Sequence, residues 1–340
     1  MTTGYTSKVE QFYLTRVKRY GFAAIDGETM RATESDEGAF MKAATTEIDG
    51  VMHQLKRNLA VQLFRGGWGN LGTVGSFTGT TVTLANVEDI ANVEIGQEHL
   101  FAATESSGAT RISTGIAVTG VNRATGVITY ADTTGVTGLA NADYVFLEGD
   151  RATAGGGSRL NIAGLEAWAP QTTPTATTFF GVDRSVDVTR LGGIRLDASD
   201  GRPVEEALMD AASLSGREGF SPKHFFMSYA KMTSLEKSLH GKVVYDTVKG
   251  SGNVGFNAIT VRGPRGDIKC VADQNCPADR IFGVDFDYLK LYSLGPLVRT
   301  INDDGNMLLR DPDSDSVIGR YGFMGNLGCT APASIINVKV

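Results

Sequence analysis

Few residues in this chain have the type and spacing to do chemistry. Gly67-Trp68-Gly69-Asn70-Leu71-Gly72 has the Gly-x-Gly-x-x-Gly spacing of a dinucleotide fingerprint, whose glycines let the backbone approach a pyrophosphate at a helix N-terminus. That chemistry needs a strand before the motif and a helix after it. Here a helical periodicity ends at the motif and a strand pattern follows, so the spacing predicts a helix C-terminus and a turn. Asp311, Asp313 and Asp315 open like a calcium loop, but position six is Ser316 rather than Gly and position twelve is Gly322 rather than Glu. A solvated acidic turn is expected, with a calcium site at a subunit boundary as the alternative. Cys270, Cys276 and Cys329 have no His near them in sequence and read as small buried hydrophobes rather than zinc ligands. His53, His99, His224 and His240 fall in separate elements; His53 has neither a His four residues on nor an adjacent Glu, and Gly-x-Ser-x-Gly is absent. The sequence thus assigns no catalytic, cofactor-binding or metal-ligating residue and no cofactor, and an enzyme is not expected.

The composition narrows the class further. The 340 residues include 32 basic and 38 acidic, for a formal charge of −6; 41% are apolar and 21% charged, which fits neither wholesale disorder nor a fibrous repeat. A chain of this length has room for about two domains. No uninterrupted apolar run approaches the roughly 18 residues of a spanning helix, and residues 1–12 are polar, so neither a membrane span nor a secretory signal is expected. Three cysteines are too few for a disulfide framework, which points to a reducing compartment. The charge is uneven: residues 71–150 hold nine acids against Arg111 and Arg123, a net −7 that leaves the remainder at +1. The same stretch has no proline and no lysine and is rich in Thr and Gly, the signature of an inserted module. Lys8, Arg16, Lys18 and Arg19 could touch a nucleic-acid backbone loosely, but the overall acidity argues against a sequence-specific binder.

The elements that would position these residues follow from periodicity. Over residues 35–64 the apolar positions Met41, Ala44, Ile48, Val51, Met52, Leu55, Leu59 and Leu63 step by three and four, one face of an amphipathic helix. Ser35 is its expected N-cap and Asp36 and Glu37 suit its positive end; Lys56, Arg57 and Arg65 lie toward the negative end, and Gly66-Gly67 stops it. Residues 17–33 read as extended chain around an Asp26-Gly27 hairpin turn. Short strands are expected at 80–84, 98–104, 112–121, 127–131 and 144–147, with Gly155-Gly156-Gly157-Ser158 as a flexible exit. A helix opens at Pro203 with Val204, Ala207, Leu208, Ala211 and Leu214 on one face, and a second runs over 228–239 to Gly241. Strands are expected at 225–227, 281–292, 316–323 and 334–340. The whole is α+β with an all-β barrel or sandwich inserted.

In this order the residues resemble a known family. The run 35–74, SDEGAFMKAATTEIDGVMHQLKRNLAVQLFRGGWGNLGTV, resembles the spine helix and following glycine-rich turn of tailed-phage major capsid proteins with the Hong Kong 97-like fold. The helix at Pro203, continuing through REGFSPKHFFMSYAKMTSLEKSL (217–239), is similar to the helix, strand and helix of that family's axial domain. GLEAW (164–168) resembles the return to the peripheral domain after an insertion, and RIFGVDFDYLKLY (280–292) and the closing strands fit the family's order. The resemblance implies six segments: an N-terminal arm or shortened extended loop (1–34), spine helix and turn (35–74), inserted acidic β domain (75–158), peripheral return (159–202), axial domain (203–305) and closing peripheral strands (306–340). It implies self-assembly into an icosahedral shell of pentamers and hexamers enclosing double-stranded DNA, in the virion capsid, assembled in the host bacterial cytoplasm. Portal, scaffolding and decoration proteins and non-specific contact with packaged DNA are the implied partners, with no membrane. The same fold serves encapsulin-like compartments that enclose cargo enzymes; nuclease-protected nucleic acid inside the particle separates the two. An enzyme with a β-rich accessory domain would need a site the sequence does not display, and the long spine-like helix argues against a tail-tube or adhesion protein.

Overall fold

The computed structural model describes residues 9–28, 37–106, 110–112, 114–151, 159–239, 259–302, 305, 308–311 and 314–340; Lys8, Ser35, Asp36, Gly155 to Ser158, His240, Gly241 and Asp313 lie outside them. Strand β1 (Val17–Asp26) alternates buried Val17, Ala23 and Ile25 with exposed Lys18, Tyr20, Phe22 and Ala24, the period-two pattern of a strand covered on one face. Helix α1 (Glu37–Phe64), at 28 residues about 42 Å long, supplies the cover. Where they cross, Gly21 leaves room for the helix: a Cβ there would stand 2.7 Å from Val51 Cγ1. Leu55, Ala23 and Tyr321 close a small core at this contact.

Six strands follow α1: β2 (Asn70–Thr78), β3 (Thr81–Leu84), β4 (Glu98–Ala102), β5 (Ile116–Asn122), β6 (Val127–Tyr130) and β7 (Tyr144–Leu147). They pair in the order β2-β3-β6-β5-β4-β7, and β7 returns to β2, closing a barrel. Val74, Val82, Phe101, Val118, Ile128 and Val145 fill it, and a 3-10 turn at Val87–Asn92 contributes Ile90 to the same core. Register shifts in β2 and β5 bend the sheet as barrel closure requires. Each strand expected between 80 and 147 has a counterpart; β2, the strand that closes the barrel, follows the glycine motif as expected but begins inside the stretch that the sequence reads as a turn. The closed unit therefore begins at Asn70, ahead of the expected boundary at 75.

Beyond the barrel lie helix α2 (Leu165–Trp168), the small hairpin β8 (Thr178–Phe179) and β9 (Val182–Asp183), strand β10 (Ile194–Asp197), helix α3 (Val204–Arg217), β11 (His224–Met227) and helix α4 (Tyr229–Leu239). Next come β12 (Ile259–Gly263), β13 (Gly266–Ala272), β14 (Arg280–Val284), β15 (Leu289–Ser293), β16 (Arg299–Thr300), β17 (Leu308–Arg310), β18 (Ser316–Cys329) and β19 (Ile336–Lys339). One sheet runs β10-β19-β14-β11-β13-β12. Ala207, Leu208 and Ala211 of α3 and Leu235 of α4 pack with Phe225, Met227, Ile281, Ile336 and Val338 of this sheet. Neighbouring Phe282 and Val284 belong to a central core with Phe64, Trp168, Phe323 and Leu327.

The other sheet is organised on β18. Its 14 residues carry β1 antiparallel along one edge, from Val17 opposite Gly325 to Asp26 opposite Ser316, and β17, β16 and β15 in succession along the other. Of the hairpin expected around Asp26-Gly27, residues 29–33 lie outside the described residues, and β1 itself pairs with β18. One sequence expectation changes here. Residues 281–292 are two strands in different sheets, β14 and β15, separated by a turn in which Tyr288 N donates to Asp285 O. The sheets also cut across the expected segments: β10 and β19, from 159–202 and 306–340, complete the sheet of β11 to β14, while β15, from 203–305, lies beside β18.

Gly164 locks α1 to α2. A Cβ there would stand 2.3 Å from Gln62 O and 2.4 Å from Leu63 O, backbone carbonyls at the end of α1 that have no room to retreat. Gly164→Ala is expected to destabilise the subunit by about 3 kcal/mol or more through this overpacking; a thermal melt within a degree of the parent would contradict the contact.

Candidate functional site: the seat between barrel and body

The residues singled out by spacing do not converge. Gly67 and Gly69 have φ of 81° and 87°, left-handed values that let the chain cross from α1 into the barrel, and Asn70 to Gly72 already belong to β2. No helix starts there, so the fingerprint spacing serves a turn. Cys270, Cys276 and Cys329 are free and buried, and burial pushes the thiols of Cys270 and Cys329 up to about 12 and about 11. Asp311 accepts a hydrogen bond from Ser314 Oγ at 2.7 Å and Asp315 pairs with Arg310 at 3.5 Å, contacts that tie the turn ahead of β18. His53 lies in the groove between α1 and the barrel, His99 inside the barrel, and His224 against Phe226 and Phe286. Among the described residues, no three His, Cys, Asp or Glu side chains gather as a metal site would require.

What the fold does assemble is a charged seat where the barrel meets the body. Arg65 directly follows α1, whose last turn carries no basic residue of its own. Rather than lying in solvent at the helix end, Arg65 is buried, and its Nη2 donates to Asp89 Oδ1 at 2.7 Å and to Leu71 O at 3.2 Å. Asp89 comes from the 3-10 turn of the barrel. Burial lowers the Arg65 pKa, but the carboxylates of Asp89, Glu166 and Asp279 outweigh it and the net shift is upward. Its neighbour Glu88 reaches the other way, its Oε1 accepting from Ala230 N at 2.9 Å in the first turn of α4, where the helix dipole favours a negative charge. Two adjacent barrel acids thus engage the C-terminal end of one body helix and the N-terminal end of another.

Further ties hold the barrel along α1. Arg57 pairs with Glu94, which also accepts from Arg123 at 2.9 Å; Asp150 pairs with Arg19 of β1 and accepts from Asn58 Nδ2 at 3.3 Å. Behind the seat Arg159 donates from Nε to Gly66 O at 2.8 Å, and its guanidinium lies 4.5 Å from the Trp68 ring centroid and 4.7 Å from that of Phe179. Arg184 stands 4.0 Å from the Phe179 centroid and donates to Ala167 O at 2.8 Å. Burial lowers both arginines to about 10, which leaves them charged at neutral pH. The barrel is therefore bolted to the body rather than hung from it; the glycine run expected as a flexible exit lies outside the described residues.

Sequence reasoning missed Arg65, Asp89 and Glu88 as a unit. The only signals were an arginine directly before a Gly-Gly break and an acidic pair inside a lysine-free module; their partnership needs the barrel's closure to bring residues 65 and 89 together.

Comparison with known proteins is informative in one place. Residues 140–305 match the family model described as SU10 major capsid protein. No curated protein sequence matches the chain. Among solved structures it is similar to a chain of the cyanophage A-1(L) capsid asymmetric unit at 16% identity and a TM-score of 0.40, covering 54% of this chain and 61% of that one. The chain thus spans less than two thirds of that capsid chain. It is also similar to a chain of the satellite phage P4 procapsid that includes the size determination protein, at 11% identity and TM-score 0.39, covering 100% and 77%. A Gordonia phage Cozz chain stands at 10% identity and TM-score 0.39, covering 100% and 78%. All three TM-scores lie below 0.5.

Removing one partner of the seat strands a buried charge. Asp89→Ala is expected to cost about 3–5 kcal/mol in chemical denaturation, and Arg65→Met combined with Asp89→Leu to recover most of that loss; equal losses in the single and double variants would refute the pairing. A second expectation concerns His99, fully buried with Nδ1 2.9 Å from the Tyr130 hydroxyl, whose pKa burial lowers to about 4. Because the folded value lies below the ordinary 6.5, its contribution to stability is present above pH 6.5 and lost as pH falls toward 4. His99→Gln should flatten that part of the denaturation profile, and an unchanged slope would show that His99 does not carry it.

Proposed function

We propose that this chain, a phage major capsid protein by its match to that family over residues 140–305, works by closing a homo-oligomeric shell around DNA. The family match is the observation that carries the reading. It runs from the last barrel strand through α2, five of the six strands of the β10 to β12 sheet and its two helices, to β15 and β16 beside β18. The α+β architecture fits the Hong Kong 97-like expectation, with α1 as spine on the sheet of β18 and with α3, α4 and β11 to β14 as the axial part near a capsomer centre. On this reading the barrel is an inserted domain facing away from the packed DNA or bridging capsomers, and the protein's work is assembly rather than catalysis.

The subunit's surface suits that work. The sheet of β18 is covered by α1 on the face bearing Ala23 and Tyr321, while the opposite face exposes Tyr20 and Phe22 on β1, with Tyr292 exposed on β15 and Leu294 just beyond it. Exposed aromatic side chains on one sheet face are what an interface between copies would use. Symmetry repeats each such contact many times, so modest single contacts suffice to hold a closed particle. Grouping into pentamers and hexamers, a portal, scaffolding and decoration proteins, loose contact with packaged DNA and assembly in the bacterial cytoplasm belong to the same proposal. Among the described residues no helix is long and apolar enough to cross a membrane.

Electron microscopy of the purified chain tests the proposal. Closed shells or capsomers are expected, and Tyr20→Ser with Phe22→Ser should suppress them while leaving subunit stability within about 0.5 kcal/mol, as for exposed positions elsewhere. A chain that stays monomeric under all assembly conditions would sink the reading.

A further inference from the structure

The seat encloses a cleft of about 260 Å³ whose walls come from both sides. The barrel contributes Glu105, in the loop after β4, together with Asn70 and Tyr144; the body contributes Glu166 of α2 and Arg280 of β14. Asn70 Nδ2 donates to Glu105 Oε1 at 2.7 Å. The cations nearby are already committed. Arg65 is held by Asp89, and Arg159 is turned to Gly66 O and the Trp68 and Phe179 rings. Arg280 is divided between Glu166 at 3.9 Å and Asp279 at 3.4 Å, and among the described residues its buried Nε and Nη1 have no hydrogen-bond partner. Four carboxyl groups, those of Glu105, Glu166, Asp89 and Asp279, thus share three guanidinium groups, and Tyr144 can supply no positive charge.

We propose that this cleft is a proton-operated latch: the barrel sits firmly on the body while Glu105 is protonated, and loss of that proton sets its carboxylate against Glu166 and loosens the seat. Burial and the charge of Glu166 push Glu105 up to about 7, with Arg65, Arg280 and Arg159 opposing them. Glu166 is shifted upward too, by its own burial, with Arg280 and Arg65 opposing. The folded value exceeds the ordinary 4.5, so the seated state has its full stability below pH 4.5 and loses it progressively as pH rises through about 7. The barrel's pose on the shell subunit then responds to pH around neutrality. This is opposite in sign to the His99 effect inside the barrel, so the two separate in one titration.

Hydrogen exchange on the dispersed full-length chain, corrected for the intrinsic rate at each pH, tests the latch through peptides spanning residues 65–73 and 159–168. In the parent chain, protection of these peptides should fall about tenfold between roughly pH 6 and pH 8, as one ionisation with a midpoint near 7 requires. Glu105→Gln keeps an acceptor for Asn70 without the charge, and should hold protection constant over that range. Glu166→Gln removes the facing carboxylate and should move the midpoint down. A parent chain whose protection does not depend on pH, or the same titration in Glu105→Gln, overturns the proposal. If Glu105→Gln does not fold, an unmoved midpoint in Glu166→Gln overturns it instead. These readouts are made on single subunits, so the latch and shell formation fail or succeed separately.

Discussion

The buried pair of Arg65 and Asp89 is the interaction on which the arrangement of this subunit turns. A guanidinium placed at the end of a 28-residue helix and closed off from water needs a carboxylate, and the nearest one belongs to another folding unit. Satisfying it fixes where the barrel sits. With the barrel in place, Glu88 meets the first turn of α4, Asp150 meets β1 and Glu94 meets the middle of α1. One desolvated charge thereby makes three elements of the body interdependent with the barrel, and an acidic module that could have been an appendage becomes part of the frame.

How much of this was legible in the sequence depends on the range of the interaction involved. The stripe from Ile48 to Leu63 announces α1, and the alternation from Thr81 to Leu84 announces β3, because burial of one face leaves a period of 3.6 or 2 in the residues themselves. The small residues Ala207 and Ala211 likewise mark the face of α3 that meets the sheet. The extent of β2, which starts inside the glycine motif, escaped because Gly72 and Gly75 and two register shifts interrupt its alternation. The break between β14 and β15 escaped because Asp285 to Tyr288 keep an apolar residue at every second position through the turn. Sheet membership was beyond reach, since nothing in Ile336 to Lys339 says that it lies between β10 and β14. The seat was illegible for the same reason: Arg65 and Asp89 become partners only after the barrel closes.

The two faces of the β18 sheet divide stability from association. On the covered face, helix and strand meet closely enough that Gly21 has no space for a methyl group, and Ala23, Leu55 and Tyr321 form a small core of their own there. On the bare face, glycines at 322 and 328 leave the Tyr20 and Tyr292 rings lying over the strand, so that aromatic surface is presented at little height above the backbone. A subunit built this way can be stable alone and still bring a low, broad apolar surface to a neighbour.

The pairing of β1 with β18 carries a consequence for timing. Val17 lies opposite Gly325, so the ladder joins segments from nearly opposite ends of the described chain, and β10 with β19 adds a second such closure. The barrel, by contrast, is built wholly from residues 70–147 and can form as soon as that stretch leaves the ribosome. Long-range pairings are the slow ones because the intervening chain must be ordered first. The exposed face of β1 therefore acquires its shape only after β18 has been synthesised. On the assembly proposed above, that delay would keep a chain without β18 from using this face.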